Sequence, residues 1–97
     1  MLYEEIFNNI DCIYSQRYLK FLSNCRNYNK SESGDFKEKH HILPAGIFPE
    51  YTSFKENPWN LIELTPRQHF IAHWMLAKIF GGKMWFAFNM MRRIGNN

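Results

Sequence analysis

Glu38-Lys39-His40-His41-Ile42-Leu43-Pro44 and Thr65-Pro66-Arg67-Gln68-His69-Phe70-Ile71-Ala72-His73 together hold all four histidines of this chain. The second stretch reads as the start of a helix. Thr65 is a good N-cap, Pro66 suits the first helical position, and Gln68 falls where a capping box places Glu or Gln. His69 and His73 are then four apart on one helical face and can grip a single ion. A third imidazole from the His40–His41 pair would complete a three-histidine site with an open position, the layout of a catalytic metal rather than a structural one. The fourth histidine is then free to move protons.

Working outward, the helix is expected to run to about Phe80 and stop at Gly81-Gly82. Its apolar residues lie on most sides, which makes it central to the core. Phe36 to Leu43 reads as a strand ended by Pro44, and Asn60 to Leu64 as a second, short one. The connection between them carries Pro44, Gly46, Pro49 and Pro58 among aromatics, and is expected to be a compact loop packed by its own side chains. Residues 1–35 read as a helical N-terminal part. Apolar stripes run from residue 3 to about residue 28, Ser15 is a candidate cap for a second helix if the first ends near Tyr14, and a polar loop follows from Asn27 to Asp35. A last helix over residues 83–93 carries Trp85, Phe86, Phe88, Met90 and Met91. That is more apolar surface than a short terminal helix usually buries, so this helix either wraps the domain or meets a partner, a second copy included.

Composition bounds the answer. With 97 residues, of which 18% are aromatic, the chain is expected to be a single domain, residues 1–97, with a real core. A net charge of +3 and a pI near 9.0 suit a polyanionic partner without demanding one. Cys12 and Cys25 form no C-x-x-C pair, which argues against a cysteine-type zinc site and for ordinary buried thiols. Glu4 and Glu5 stand where a signal peptide would carry positive charge, and His73 and Lys78 interrupt the greasiest stretch. The expectation is an intracellular, cytoplasmic protein that does not cross a membrane.

The order of strand with two histidines, long loop, strand beginning at an asparagine, and helix with H-x-x-x-H resembles the HNH endonucleases. The resemblance covers roughly residues 36 to 80, and its flanks are similar to short phage-type members, including homing endonucleases. It implies an α+β fold with a ββα-metal (His-Me finger) core over residues 36–80, flanked by N- and C-terminal helices. It implies metal-dependent hydrolysis of DNA phosphodiesters, with nicking favoured by one site per monomer, and a phage or mobile-element origin. His41 matches the general base that activates water, and Asn60 the asparagine that braces the loop and holds that base. His40, His69 and His73 match the metal ligands. A single divalent ion is implied, from magnesium, manganese, nickel or zinc. Elementary chemistry agrees: imidazole can take a proton near neutral pH, and a bound cation offsets the charge that develops on a phosphodiester.

Two further residues are candidates. Arg67, at the start of the helix, could hold a phosphate or simply be solvated. Glu38 falls on the same strand face as His40 and could orient a ligand, or be a plain surface carboxylate. Lys78, Lys83, Arg92 and Arg93 are candidates for the DNA track. The rival functions are a catalytically silent metal-bound DNA-binding module and a structural zinc module for protein interaction.

Overall fold

The computed structural model describes residues 1–31 and 36–95, with side chains through residue 30 and from 36 to 91. Among the described residues it is a small α+β arrangement of four helices and one two-stranded sheet: α1 (Leu2–Asn8), α2 (Ile13–Ser31), β1 (Glu38–His41), β2 (Leu61–Leu64), α3 (Pro66–Phe80) and α4 (Lys83–Gly95).

The N-terminal part is two helices, divided earlier than the sequence suggests. The chain breaks between Asn8 and Ile13, well before Tyr14, because α1 folds back to bury Phe7 against Tyr18, their rings 5.0 Å apart. Consecutive asparagines at Asn8 and Asn9 are poor helix residues and ease the break. Ser15 is therefore no cap. It lies inside the first turn of α2, fully buried, with its hydroxyl unbonded. From there α2 turns Tyr18, Leu22 and Cys25 into the core at helical spacing. It also extends to Ser31, so the first residues of the expected loop are helical, and residues 32–35 of that loop lie outside the described residues. Cys25 is buried, which pushes its thiol up to about 11, whereas Cys12 is only half-buried.

The two strands pair antiparallel, each shorter than its sequence stripe, with Lys39 opposite Glu63 and His40 opposite Ile62. Side chains alternate, so the Lys39–Glu63 pair faces water while His40 and Ile62 face the core. Asn60 belongs to a 3-10 turn (Pro58–Asn60) rather than to β2. The loop between the strands is compact, as its aromatics suggest. Pro44 accepts hydrogen bonds from the amides of Ile47 and Phe48, and Trp59 stacks near Tyr3 and packs edge-on to Tyr51.

The helix α3 follows its sequence signals closely. Thr65 Oγ1 accepts from the Gln68 amide at 3.2 Å, and the Gln68 side chain accepts from the Thr65 amide at 2.9 Å. The same glutamine exchanges two hydrogen bonds with Asn29, so the cap also ties α2 to the start of α3. At the other end Gly81 and Gly82 both take positive φ, 65° and 44°, a conformation in which any side chain would be strained. This tight link lays α4 back on α3, where Met84 and Phe88 are buried and Phe88 meets Phe70. Phe86 and Met90 stay exposed on the far side of α4. Among the described residues no helix is long and apolar enough to cross a membrane.

Candidate metal centre

Side-chain alternation in β1 and the first two turns of α3 bring His40, His69 and His73 to one point. Their ring centroids are 4.8 to 5.2 Å apart, and one ligand nitrogen from each lies within 4.8 Å of the others. These three residues could hold a metal ion. Two nitrogens on one tetrahedral ion, at a bond length of about 2.1 Å, lie about 3.4 Å apart, so the three rings would draw together to grip one. His73 Nδ1 is buried and has no hydrogen-bond partner, and a metal bond is the kind of partner such a nitrogen lacks.

Each ring is held differently. His69 Nδ1 donates to Glu38 Oε1 at 2.9 Å, which leaves Nε2 with the free lone pair. Glu38 therefore touches a candidate ligand from the same strand face as His40, as its alternation suggested. His40 is 2% exposed, and its Nε2 lies 2.9 Å from the hydroxyl of Tyr18. Burial, and then the neighbouring His73, His69 and His41, hold its imidazole well below the usual histidine range. His73 is lowered to about 4, first by burial and then by His69 and His41. His40 buried and His73 half-buried, and both crowded by other imidazoles, the two are kept in the neutral form that ligates metals.

Adjacent strand residues point oppositely, so His40 and His41 can serve one site only if the strand ends between or at them. It ends at His41. Beyond it the ladder gives way to a bond from the Ile42 amide to the Asn60 carbonyl. The His41 ring stacks on Phe54 at 4.2 Å, and its Nε2 donates to the Thr52 carbonyl at 2.9 Å. A carbonyl can only accept, so Nδ1 keeps the lone pair. Asn60, fully buried, accepts from the Leu43 amide at 2.7 Å and donates to the Leu43 and Tyr51 carbonyls. It braces the two ends of the loop that carries Thr52.

The cleft over the site has a volume of about 330 Å³, and its lining includes His40, His41, His69 and His73 together with Lys39 and Lys83. Lys83 lines the cleft, but Lys78 lies with its ammonium 5.4 to 6.0 Å from the rings of Trp74, Trp85 and Tyr14. Five residues separate His73 from Lys78, a turn of about 140° around the helix, which is why the two face apart. Arg67 is exposed and is not among the residues lining the cleft, while the side chains of Arg92 and Arg93 lie outside those described. Lys39 was unremarkable in the sequence, and only its place on β1 marks it. Tyr18 sits in the apolar stripe of α2, which marks it in the sequence as one apolar position among several. No sequence signal separates a tyrosine that fills space from one whose hydroxyl reaches a histidine 22 positions away.

No family model matches the chain, and no solved structure matches it. Curated relatives do. The chain is 46% identical over 54 residues to a probable mobile endonuclease D of Enterobacteria phage T4, covering 56% of this chain and 19% of that protein. It is 45% identical over 58 residues to the phage's probable mobile endonuclease E, covering 59% of this chain and 38% of the relative. Against probable mobile endonuclease C of the same phage it is 41% identical over 54 residues, 56% of this chain and 23% of the relative. The chain thus spans well under half the length of each of these relatives, and its similarity to them covers a little over half of itself.

Proposed function

We propose that this chain is a DNA endonuclease domain of the HNH type, with residues 36–80 as a ββα-metal core, encoded by a phage or mobile element. The observation that carries the reading is the convergence of His40, His69 and His73 on one point beside a fourth histidine with a free Nδ1. The names of the phage relatives, mobile endonucleases, support the same class of activity.

The residues have distinct tasks in this reading. His40, His69 and His73 would hold a divalent ion, which when bound supplies positive charge against the phosphodiester as negative charge builds on it. Three imidazoles favour zinc, nickel or manganese over magnesium. His41 takes the proton from the attacking water at Nδ1. Its Nε2–H, pointed at the Thr52 carbonyl, fixes the ring and stabilises the imidazolium that results. Asn60 holds the loop that presents this carbonyl. Glu38 orients His69 and raises its basicity as a ligand. Lys39 and Lys83 flank the cleft as phosphate contacts. With one such centre per chain the expected product is a nick bearing a 5′-phosphate and a 3′-hydroxyl.

The test is cleavage of supercoiled plasmid by metal-stripped protein resupplied separately with magnesium, manganese, nickel and zinc. Relaxed circles in at least one metal, and none in its absence, support the reading. Intact plasmid under every metal, from protein that binds one, would leave a silent metal-bound module in its place.

A further inference from the structure

The geometry points to Tyr18 as a positioning residue that selects the tautomer of His40 and so decides which of its nitrogens is offered to the metal. The inference rests on the metal-site reading above and adds a residue from outside the two strands and the helix.

The argument needs only the count of hydrogens on one hydroxyl. Tyr18 Oη donates to the Ile42 carbonyl at 2.8 Å. A carbonyl has no hydrogen to give, so the single phenolic proton is committed there. Toward His40 Nε2, 2.9 Å away, the same oxygen can only accept. Nε2 must then carry the hydrogen, and Nδ1 is left with the lone pair. Tyr18 is itself fully buried, so no solvent competes for either bond. The neighbouring ligand His69 is set the other way, with Nδ1 given to Glu38 and Nε2 free. Two ligands are thus oriented by two different partners, one a carboxylate on β1 and one a neutral hydroxyl on α2. The neutral partner suits the deeper ring, because a buried carboxylate would be costly there. Ile42 follows His40 by two residues, so one tyrosine fixes both the ring and the strand end that carries it.

The experiment measures the tautomer of His40 by two-bond proton–nitrogen correlation on metal-free protein near neutral pH, and the zinc dissociation constant by competition with a chelator, for wild type and Tyr18→Phe. Phenylalanine keeps the ring that packs on Phe7 and removes only the hydroxyl. The expected result is His40 protonated at Nε2 in wild type, a mixture of tautomers in Tyr18→Phe, and zinc bound about 10- to 100-fold more weakly by the variant. An unchanged tautomer in the variant, or a zinc constant within about twofold of wild type, overturns the proposal while the metal site stands. Wild-type protein that shows Nε2–H on His40 yet binds no zinc overturns the metal-site reading, and the tyrosine's role toward a metal with it. Should Tyr18→Phe fail to fold, wild type alone decides: hydrogen on Nδ1, or zinc shifting Nε2 rather than Nδ1, overturns the assignment.

Discussion

Asn60 grips Leu43 at both of its backbone groups, accepting from the amide at 2.7 Å and donating to the carbonyl at 3.2 Å. The side-chain amide thus stands in for a strand partner just past the point where the sheet stops. The third bond, to the Tyr51 carbonyl, extends the clamp across the loop. Asn60→Ala leaves a buried amide and two carbonyls without partners. At roughly 1–3 kcal/mol for a buried polar group left unpaired, a loss of about 3 kcal/mol is expected in urea unfolding. A loss below about 0.5 kcal/mol would mean that water or a shifted backbone replaces the clamp.

His41 touches none of the three candidate ligands through a hydrogen bond, and its own anchor is a backbone carbonyl. His41→Ala is therefore expected to bind zinc as wild type does. Plasmid nicking should fall by about 100-fold or more, the usual contribution of a proton-transfer group. Retained nicking in a variant that still binds metal would remove His41 from the mechanism.

Acid should destabilise the metal-free protein in a defined window. The folded-state pKa of His73 is about 4, below the usual 6.5, and that of His40 is lowered in the same direction. As pH falls from about 6.5 toward 4, the unfolded chain takes up protons that the folded one refuses. Stability is then full above that window and declines through it. Thermal melts of metal-free wild type should show this decline, and His73→Leu should make it shallower, leaving the share that comes from His40. A melting temperature independent of pH between neutrality and pH 4 would contradict the burial of these rings.

The placement of the lysines predicts a split in salt dependence. Replacing both Lys39 and Lys83, which line the cleft, by alanine should reduce the slope of log affinity for duplex DNA against log salt by about 1.8, at about 0.9 per phosphate contact. Lys78→Ala, whose ammonium is occupied by Trp74, Trp85 and Tyr14, should leave the slope unchanged. No effect from the cleft pair, with a lowered slope from Lys78→Ala, would place the DNA on the aromatic face instead.

How much of this was legible in the sequence depended on whether the signal was local. The capping box of α3, its proline and the glycine pair after it are adjacent residues with fixed roles, and the helix begins and ends where they say. The H-x-x-x-H pair needs only helical periodicity. Glu38 needed only strand alternation to land beside His69. The break at Asn9 was hidden because the apolar stripe continues through it, and only the packing of Phe7 on Tyr18 shows why the chain turns. The strands came out shorter than expected, since past His41 the chain meets Asn60 through a turn carbonyl and a side-chain amide rather than through a continued ladder. Tyr18, Lys39 and the orientation of Lys78 were out of reach for a common reason. Each is set by a contact between elements distant in the chain, and a one-dimensional pattern carries no record of it.

The loop from Pro44 to Trp59 speaks to the site through peptide groups: His41 bonds to the carbonyl of Thr52, and Asn60 to that of Tyr51. A carbonyl is the same whatever residue bears it. The amino acid at position 52 can therefore drift without touching the chemistry, so long as the path of the chain is kept, whereas the Tyr51 ring also packs on Trp59 and helps keep that path. Substitutions of the exposed side chain at residue 52 should be forgiven, while inserting or deleting one residue between 44 and 58 should not. The site tolerates variation in letters and not in length, and a comparison by letters alone would underrate how tightly this loop is held.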